Sequence, residues 1–484
     1  MKDISATAKT APKGRGAGRR AVGKSPAEAG WQGTLHRALE WGIVAVLVLI
    51  PFHAFLTTWL AAQTGHFDLI RIWKELLVFA FCSIAGVLLF LRQDVLRLLA
   101  RNRLVQLMAA YLALLLVMFT YGLFTDHVSS SAAIYGLLVD GRFFGFFLLV
   151  ASVVALGGKS GKAAAVQRLS GPLRQWRRLV FIPAALVVGF ALMQYALPAD
   201  FLGHFGYGPA TIPTHQTVDN KPDYVRLQST LRGPNPFGAY LLLITALLLA
   251  AALASRYKRV QYGLLGAAGL LALYGTYSRS AWLGTLLAGT IVLFLSIRSP
   301  QHRRKLLVTG VVAAAGALAM LVILRHNTTF QNVIFHTSNT SRSATSSNQK
   351  RADALEAGWR EVLHTPLGNG VGSAGPASLR NTAAPARLSE NYLLQVAQET
   401  GWLGLVLFTA AIVLTGMTLY RQRSDSLALG LLAALAGLTL VNFLSHAWAD
   451  DTLAYLFWGL AALALAPTLA AAKSNPASIS GKKR

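Results

Sequence analysis

Arg279, in GTYSRSAWLG, stands between two apolar runs, residues 261–276 and 281–297, with almost no room for a loop. An ionisable group at such a boundary is costly unless it meets water or a partner, which makes it a functional candidate. Arg226 and Arg232 precede a Pro-Asn-Pro at the head of another apolar run, in VRLQSTLRGPNPFGAY, and Arg351 opens an amphipathic stretch, RADALEAGWREVLHTP. A guanidinium is permanently charged and offers a planar fork to phosphate oxygens, so arginines converging on one face would hold an anion. Proton transfer needs other groups. His446, Asp450 and Asp451 in LSHAWADDT are candidates, with His364 and the Asp140/Arg142 pair of VDGRFF behind them.

The elements that carry these residues are expected to be membrane spans. Of the 484 residues, 54% are hydrophobic and only 13% charged. About 20 apolar residues in a helix cross a bilayer core, and twelve segments approach that: 41–61, 75–91, 104–124, 143–156, 179–197, 237–254, 261–276, 281–297, 306–324, 403–420, 427–443 and 453–469. The expected fold is an all-α polytopic membrane protein with about twelve transmembrane helices over residues 39–472. Residues 1–38 are basic and rich in small residues, Gly and Pro, without the apolar core of a cleavable signal. They are expected to be a disordered cytoplasmic tail, and 473–484 a second basic tail.

Charge orders the loops. With the amino terminus inside, the inner segments hold 31 of the 45 Lys and Arg residues, and the outer ones hold 14 of the 19 acids. This is the positive-inside asymmetry. It accounts for the net +26 by topology and contact with anionic membrane lipid, not by nucleic-acid binding. A lone cysteine, Cys82, removes disulfides and thiol redox chemistry, and no Cys/His cluster has metal-ligand spacing. Neither a Walker loop nor a dinucleotide fingerprint is present. PLGNGVGSAG is glycine-rich but lacks the Lys-Ser/Thr ending of a phosphate loop, and is expected to be a turn.

Two outer loops are long, 198–235 and 325–389, and long loops usually carry function. In the second, Leu355, Trp359 and Val362 recur at helical spacing, with Asp353 and Glu356 early and His364 late, as the helix dipole favours. Pro366 ends that helix. Ser389 is positioned to cap the next one, SENYLLQVAQETGWLG.

Together, RGPNPFGAYL, YSRSAWLG, the Arg351–Trp359 helix running into PLGNGVG, and ETGWLG resemble the O-antigen ligase and polymerase superfamily of GT-C-type membrane glycosyltransferases. The resemblance spans roughly residues 226–405. It implies a metal- and cofactor-free transferase that takes a glycan from undecaprenyl diphosphate at the periplasmic face of the bacterial inner membrane. A ligase passes it to lipid A-core; a polymerase of O-antigen or exopolysaccharide passes it to a growing chain, sometimes with a chain-length regulator as partner. The family's diphosphate-binding arginines correspond to Arg232 and Arg279, with Arg226 and Arg351 beside them. The ligases' base is a histidine, and the aligned residue here is Glu390. Glu390 and His446 are therefore the candidate catalytic residues. A transporter of the same lipid-linked glycan is a third reading, disfavoured because no internal repeat is visible and charge gathers at span ends.

Overall fold

A computed structural model of the chain describes residues 30–157, 171–218, 221–327 and 347–469. Among them run sixteen α-helices: α1 Trp31–Leu49, α2 His53–Thr64, α3 Phe67–Arg71, α4 Trp73–Leu91, α5 Gln93–Ala100, α6 Arg103–Phe124, α7 Ser130–Leu156, α8 Trp176–Met193, α9 Pro234–Ala254, α10 Arg259–Gly275, α11 Arg279–Ser296, α12 Pro300–Ile323, α13 Ser347–His364, α14 Tyr392–Arg421, α15 Ser426–Asn442 and α16 Asp451–Leu469. The only sheet among the described residues is an antiparallel ribbon of β1 (Gln216–Val218) and β2 (Lys221–Arg226). The protein is an all-α polytopic membrane protein. Each of the twelve expected apolar segments overlaps helix over most of its length. Nine helical stretches among the described residues are long and apolar enough to cross a membrane, and α15 is a shorter apolar helix.

Successive long helices reverse direction, so the bundle has two ends. At one end lie the starts of α9, α11 and α16 and the finish of α8; at the other lie the starts of α8, α10 and α15. The most enclosed members are α9 and α16, apolar on every side and buried nearly throughout. A helix apolar all round belongs inside a bundle. Phe143, Phe144 and Phe147 of α7 pack edge-on or tilted against Trp458 of α16 and Phe408 of α14, which locks these three helices together.

Two differences from the sequence expectation matter for the site. The fourth span is not 143–156 but the whole of α7, so Asp140 and Arg142 lie within the helix and are buried. A charge-free stretch is what the sequence offers as a span; partners supplied by other helices let the span extend past its charges. The first span also differs. It begins at Trp31, inside the segment expected to be tail, and breaks at Pro51 into a short 3-10 turn, Ile50–Phe52, before α2. Residues 1–29 and 470–484, which take in the rest of the first expected tail and all of the second, lie outside the described residues.

Candidate active site

The break at Pro51 gathers three segments. Proline interrupts the helical hydrogen-bond ladder, and two threonines use carbonyls at the break: Thr230 donates to Pro51 O at 2.8 Å and Thr452 to Ile50 O at 3.4 Å. The Phe55 amide in turn donates to Thr230 O at 3.3 Å. These contacts bring His53, Arg232 and Asp451, far apart in sequence, to one place.

Asp451 is the centre of the cluster. Its Oδ2 meets Arg232 Nη2 at 3.0 Å, Lys74 Nζ at 3.1 Å, His53 Nε2 at 3.2 Å and Arg142 Nη1 at 3.7 Å. Glu75 joins them, with Lys74 at 3.0 Å and Arg142 at 3.6 Å. His53 Nδ1 accepts from the Trp73 indole N–H at 3.0 Å, so its Nε2 carries the proton given to Asp451. Asp451 sits in the first turn of α16, where a carboxylate is favourable. Asp450 caps that helix, accepting from the Leu453 amide at 3.2 Å.

Beside this cluster opens a cavity of about 550 Å³. Its wall carries five cations, Arg71, Lys74, Arg142, Arg232 and Arg380, against three carboxylates, Asp68, Glu75 and Asp451. Tyr135 bridges two of the cations: it accepts from Arg71 Nη2 at 2.5 Å, and the Arg380 guanidinium stands 4.6 Å over its ring. A smaller cavity of about 250 Å³, lined by His53, Thr57 and Gln216 among others, shares Arg71 and Arg232 with the larger one. Those two arginines form the common wall. Asp451 beside it holds the Arg232 guanidinium protonated, above its ordinary range. Burial, with the charge of Arg232 next in effect, pulls Arg71 the other way. The cations outnumber the acids available to them, and an anion would relieve the crowding.

The candidates separate into four places. Arg232 belongs to the cavity, and Asp451, a rival acid–base candidate from the sequence, anchors it. Arg226 and Arg279 meet at the α10–α11 joint instead. Arg226 donates to Thr276 O at 2.8 Å and to Asn235 Oδ1 at 2.6 Å, tying the ribbon to the linker that leads into Arg279. Gln216, opposite Arg226 in the ribbon, reaches the smaller cavity. Arg351 and Glu390 form an ion pair with each other, both part-exposed. His446 precedes the α16 cap, with its Nε2 shut off from solvent and without a partner; burial lowers it to about 4, so it is neutral at ordinary pH. Asp450 is pushed up to about 6 by burial, with Asp451 adding to the effect. Neither His446, Glu390, Arg226, Arg279 nor Arg351 lines either cavity.

Of the four non-glycine residues with positive φ among the described ones, three fall in the motif segments: Ser229 (53°), Tyr277 (50°) and Glu390 (49°). A left-handed backbone at such residues is uncommon and gathers at functional sites. At Glu390 it redirects the chain so that Asn391, not Ser389, caps α14, accepting from the Leu394 amide at 3.0 Å.

The glycine turn is a turn, and its amides are used internally. Gly372 N–H and Ala374 N–H donate to Glu399 Oε1 at 3.1 and 3.4 Å. A cradle that elsewhere holds phosphate here holds the chain's own carboxylate. Among the described residues no group of three or more His, Cys, Asp and Glu side chains is arranged to hold a metal.

The sequence reading missed His53, Arg71, Lys74, Glu75 and Arg380. Two signals were present: a histidine between apolar residues in IPFHAFL, and a Lys-Glu pair at a span start in RIWKELLVF. Intramembrane ionisable residues mark function.

Residues 264–409 match the family model described as O-antigen ligase. The resemblance to the O-antigen ligase and polymerase superfamily is borne out there. The matched stretch is 146 of the 484 residues and runs from α10 into α14, taking in Arg279, Arg351, Glu390 and the glycine turn. Arg232 and Asp451 lie outside it. No curated protein matches the chain.

Proposed function

We propose that the chain is a glycosyltransferase that moves a glycan from undecaprenyl diphosphate to an acceptor hydroxyl at the periplasmic face of the inner membrane, in the manner of an O-antigen ligase. The observation that carries this reading is the cavity wall with five cations against three carboxylates, in a chain similar to O-antigen ligases. Two formal positive charges in excess suit a diphosphate. When the glycosyl bond breaks, negative charge grows on the leaving diphosphate, and fixed guanidiniums stabilise it without reorganising. Arg232 and Arg71, on the wall common to both cavities, hold the phosphates, and the sugar and acceptor occupy the two chambers. Arg279 and Arg226 shape the α10–α11 joint and the ribbon next to them. The acceptor proton goes to a carboxylate. Glu75 lines the cavity and Glu390 does not, which favours Glu75 over the residue in the ligases' histidine position. No metal ion takes part.

A second reading, a polymerase of O-antigen or exopolysaccharide, draws support from Glu390 standing where ligases have histidine. The size of the 325–389 segment, which would accommodate a growing chain, points the same way.

The test is transfer by purified protein in lipid from an undecaprenyl-diphosphate-linked oligosaccharide, with and without chelator, for wild type, Arg232→Gln, Glu75→Gln and Glu390→Gln. Loss of one such electrostatic donor is expected to slow transfer by about 10² to 10³. Unchanged transfer in Arg232→Gln would overturn the clamp, and sensitivity to chelator the metal-free chemistry. A single ligated product indicates a ligase, a ladder a polymerase.

A further inference from the structure

At the opposite end of the bundle from the Arg232–Asp451 cluster, a third cavity of about 580 Å³ opens among Arg174, Gln175, Trp176, Arg177, Arg178 and Lys258. Four of its six lining residues are cations and none is acidic. Asp425 caps α15 by accepting from the Leu427 and Ala428 amides at 2.9 and 3.1 Å, and Glu40 lies against Gly171. Arg177 is held in place, its Nη2 donating to Ser426 Oγ at 2.9 Å and its guanidinium lying 5.5 Å over the Trp176 ring. The Nε of Arg177 is shut off from bulk solvent and has no hydrogen-bond partner. A buried N–H without an acceptor costs free energy that a ligand oxygen would recover.

The surface below the cavity is apolar. Phe181 of α8 packs against Tyr262 of α10, ring centroids 5.1 Å apart, which joins the two helices just under the cationic wall. Outward from that seam, Ile182 and Leu186 on α8 and Val260 and Leu264 on α10 are exposed at i, i+4 spacing. Ile182 lies six residues past Trp176, roughly 9 Å along the helix. That is the arrangement of a phospholipid: a phosphate at the cationic end and acyl chains along the helices. A soluble phosphate would have no use for the apolar rows.

We propose that this cavity is a binding site for the headgroup of an anionic phospholipid, with Arg174, Arg177, Arg178 and Lys258 contacting its phosphate and the acyl chains lying along the exposed faces of α8 and α10. The site is separate from the transfer chemistry and does not depend on that reading.

The experiment is a lipid titration of the purified full-length chain in detergent, read by native mass spectrometry and by the shift in thermal unfolding. Three proteins are compared: wild type, the triple variant Arg174→Gln/Arg178→Gln/Lys258→Gln, and a matched control, Arg298→Gln/Arg304→Gln/Lys305→Gln, which removes three cations near the start of α12 at the same end. Arg177 is retained because it also anchors Ser426. Each receives phosphatidylglycerol, phosphatidylcholine or inorganic phosphate. Wild type and control are expected to retain phosphatidylglycerol in preference to phosphatidylcholine and to gain thermal stability from it. The triple variant is expected to bind it about a hundredfold more weakly, at about fivefold for each of the three cations facing an anionic headgroup. Equal binding by all three proteins would overturn the proposal, as would equal loss in the control. A shift produced in full by inorganic phosphate alone would make the site one for free phosphate and overturn the lipid assignment.

Discussion

Two buried carboxylates, Asp451 and Glu399, are held in opposite ways. Glu399 is held by neutral groups: the amides of Gly372 and Ala374 donate to one oxygen, and the side chain shares a proton with Asp140, which accepts from Tyr392 and Gln395. No cation stands among these partners. Asp451 is surrounded by Arg232, Lys74, Arg142 and His53, and the cavity beside it holds more cations than acids. The first cluster is closed and fixes the glycine turn onto α14. The second is open and keeps a charge surplus. A buried carboxylate is thus a sign of function only when its partners are cations that face empty space.

Asp451→Asn tests the contrast most severely. It leaves several cations buried together without their counter-charge, and loss of one partner from a buried ion cluster costs about 3–5 kcal/mol. The expected result is a large drop in thermal stability in detergent together with loss of transfer; a stable, active Asp451→Asn protein would dissolve the distinction between the clusters.

The next effect is a pH dependence at His446, just before the α16 cap. Burial lowers His446 to about 4 from an unfolded value near 6.5. Because the folded value is depressed, its contribution is fully present above pH 6.5 and is lost as pH falls through about 4. The loss amounts to at most about 3 kcal/mol. Unfolding measured across that window is expected to flatten in His446→Gln. An unchanged slope would mean that His446 is hydrated.

At the closed cluster, Glu399→Leu strands two buried amides, at about 1–3 kcal/mol each. Glu399→Gln, which keeps an acceptor, is expected to restore most of that stability, with the rate of transfer per folded molecule unchanged. A rate defect in the Gln variant would bring the glycine turn into the chemistry.

Arg380→Gln is the reverse case. Arg380 is part-exposed, so its stability change should stay within about 0.5 kcal/mol. Transfer is expected to fall about tenfold, the effect of one charge weakly screened from a diphosphate. Equal transfer would confine the clamp to Arg232 and Arg71.

The amphipathic stretch from Arg351 to His364 shows how far local pattern reaches. Its periodicity predicted a helix ending before Pro366, and α13 ends at His364, burying Val362 against Leu394 and Ala397. The joint at Arg279 is likewise as tight as its sequence implied, three residues between α10 and α11. Arg351 and Glu390 were legible as charged and near the surface. That they would pair with each other was not, because the pairing joins separate helices across a loop.

By itself the sequence determined the all-α, multispan architecture, the helix that follows the long loop, and the arginine at the head of α11, because apolar period, proline stops and charge spacing act within a few residues of each other. It also named Arg232 and Asp451, though only as separate candidates. Tertiary structure alone decided that they are partners. The proline break in the first span, the two threonines that cap its carbonyls, and the packing of α4, α7 and α16 bring His53, Lys74, Arg142, Arg232 and Asp451 within ion-pair distance across some 400 residues of chain. Ion pairing depends on distance in space, and no local period in a sequence encodes it.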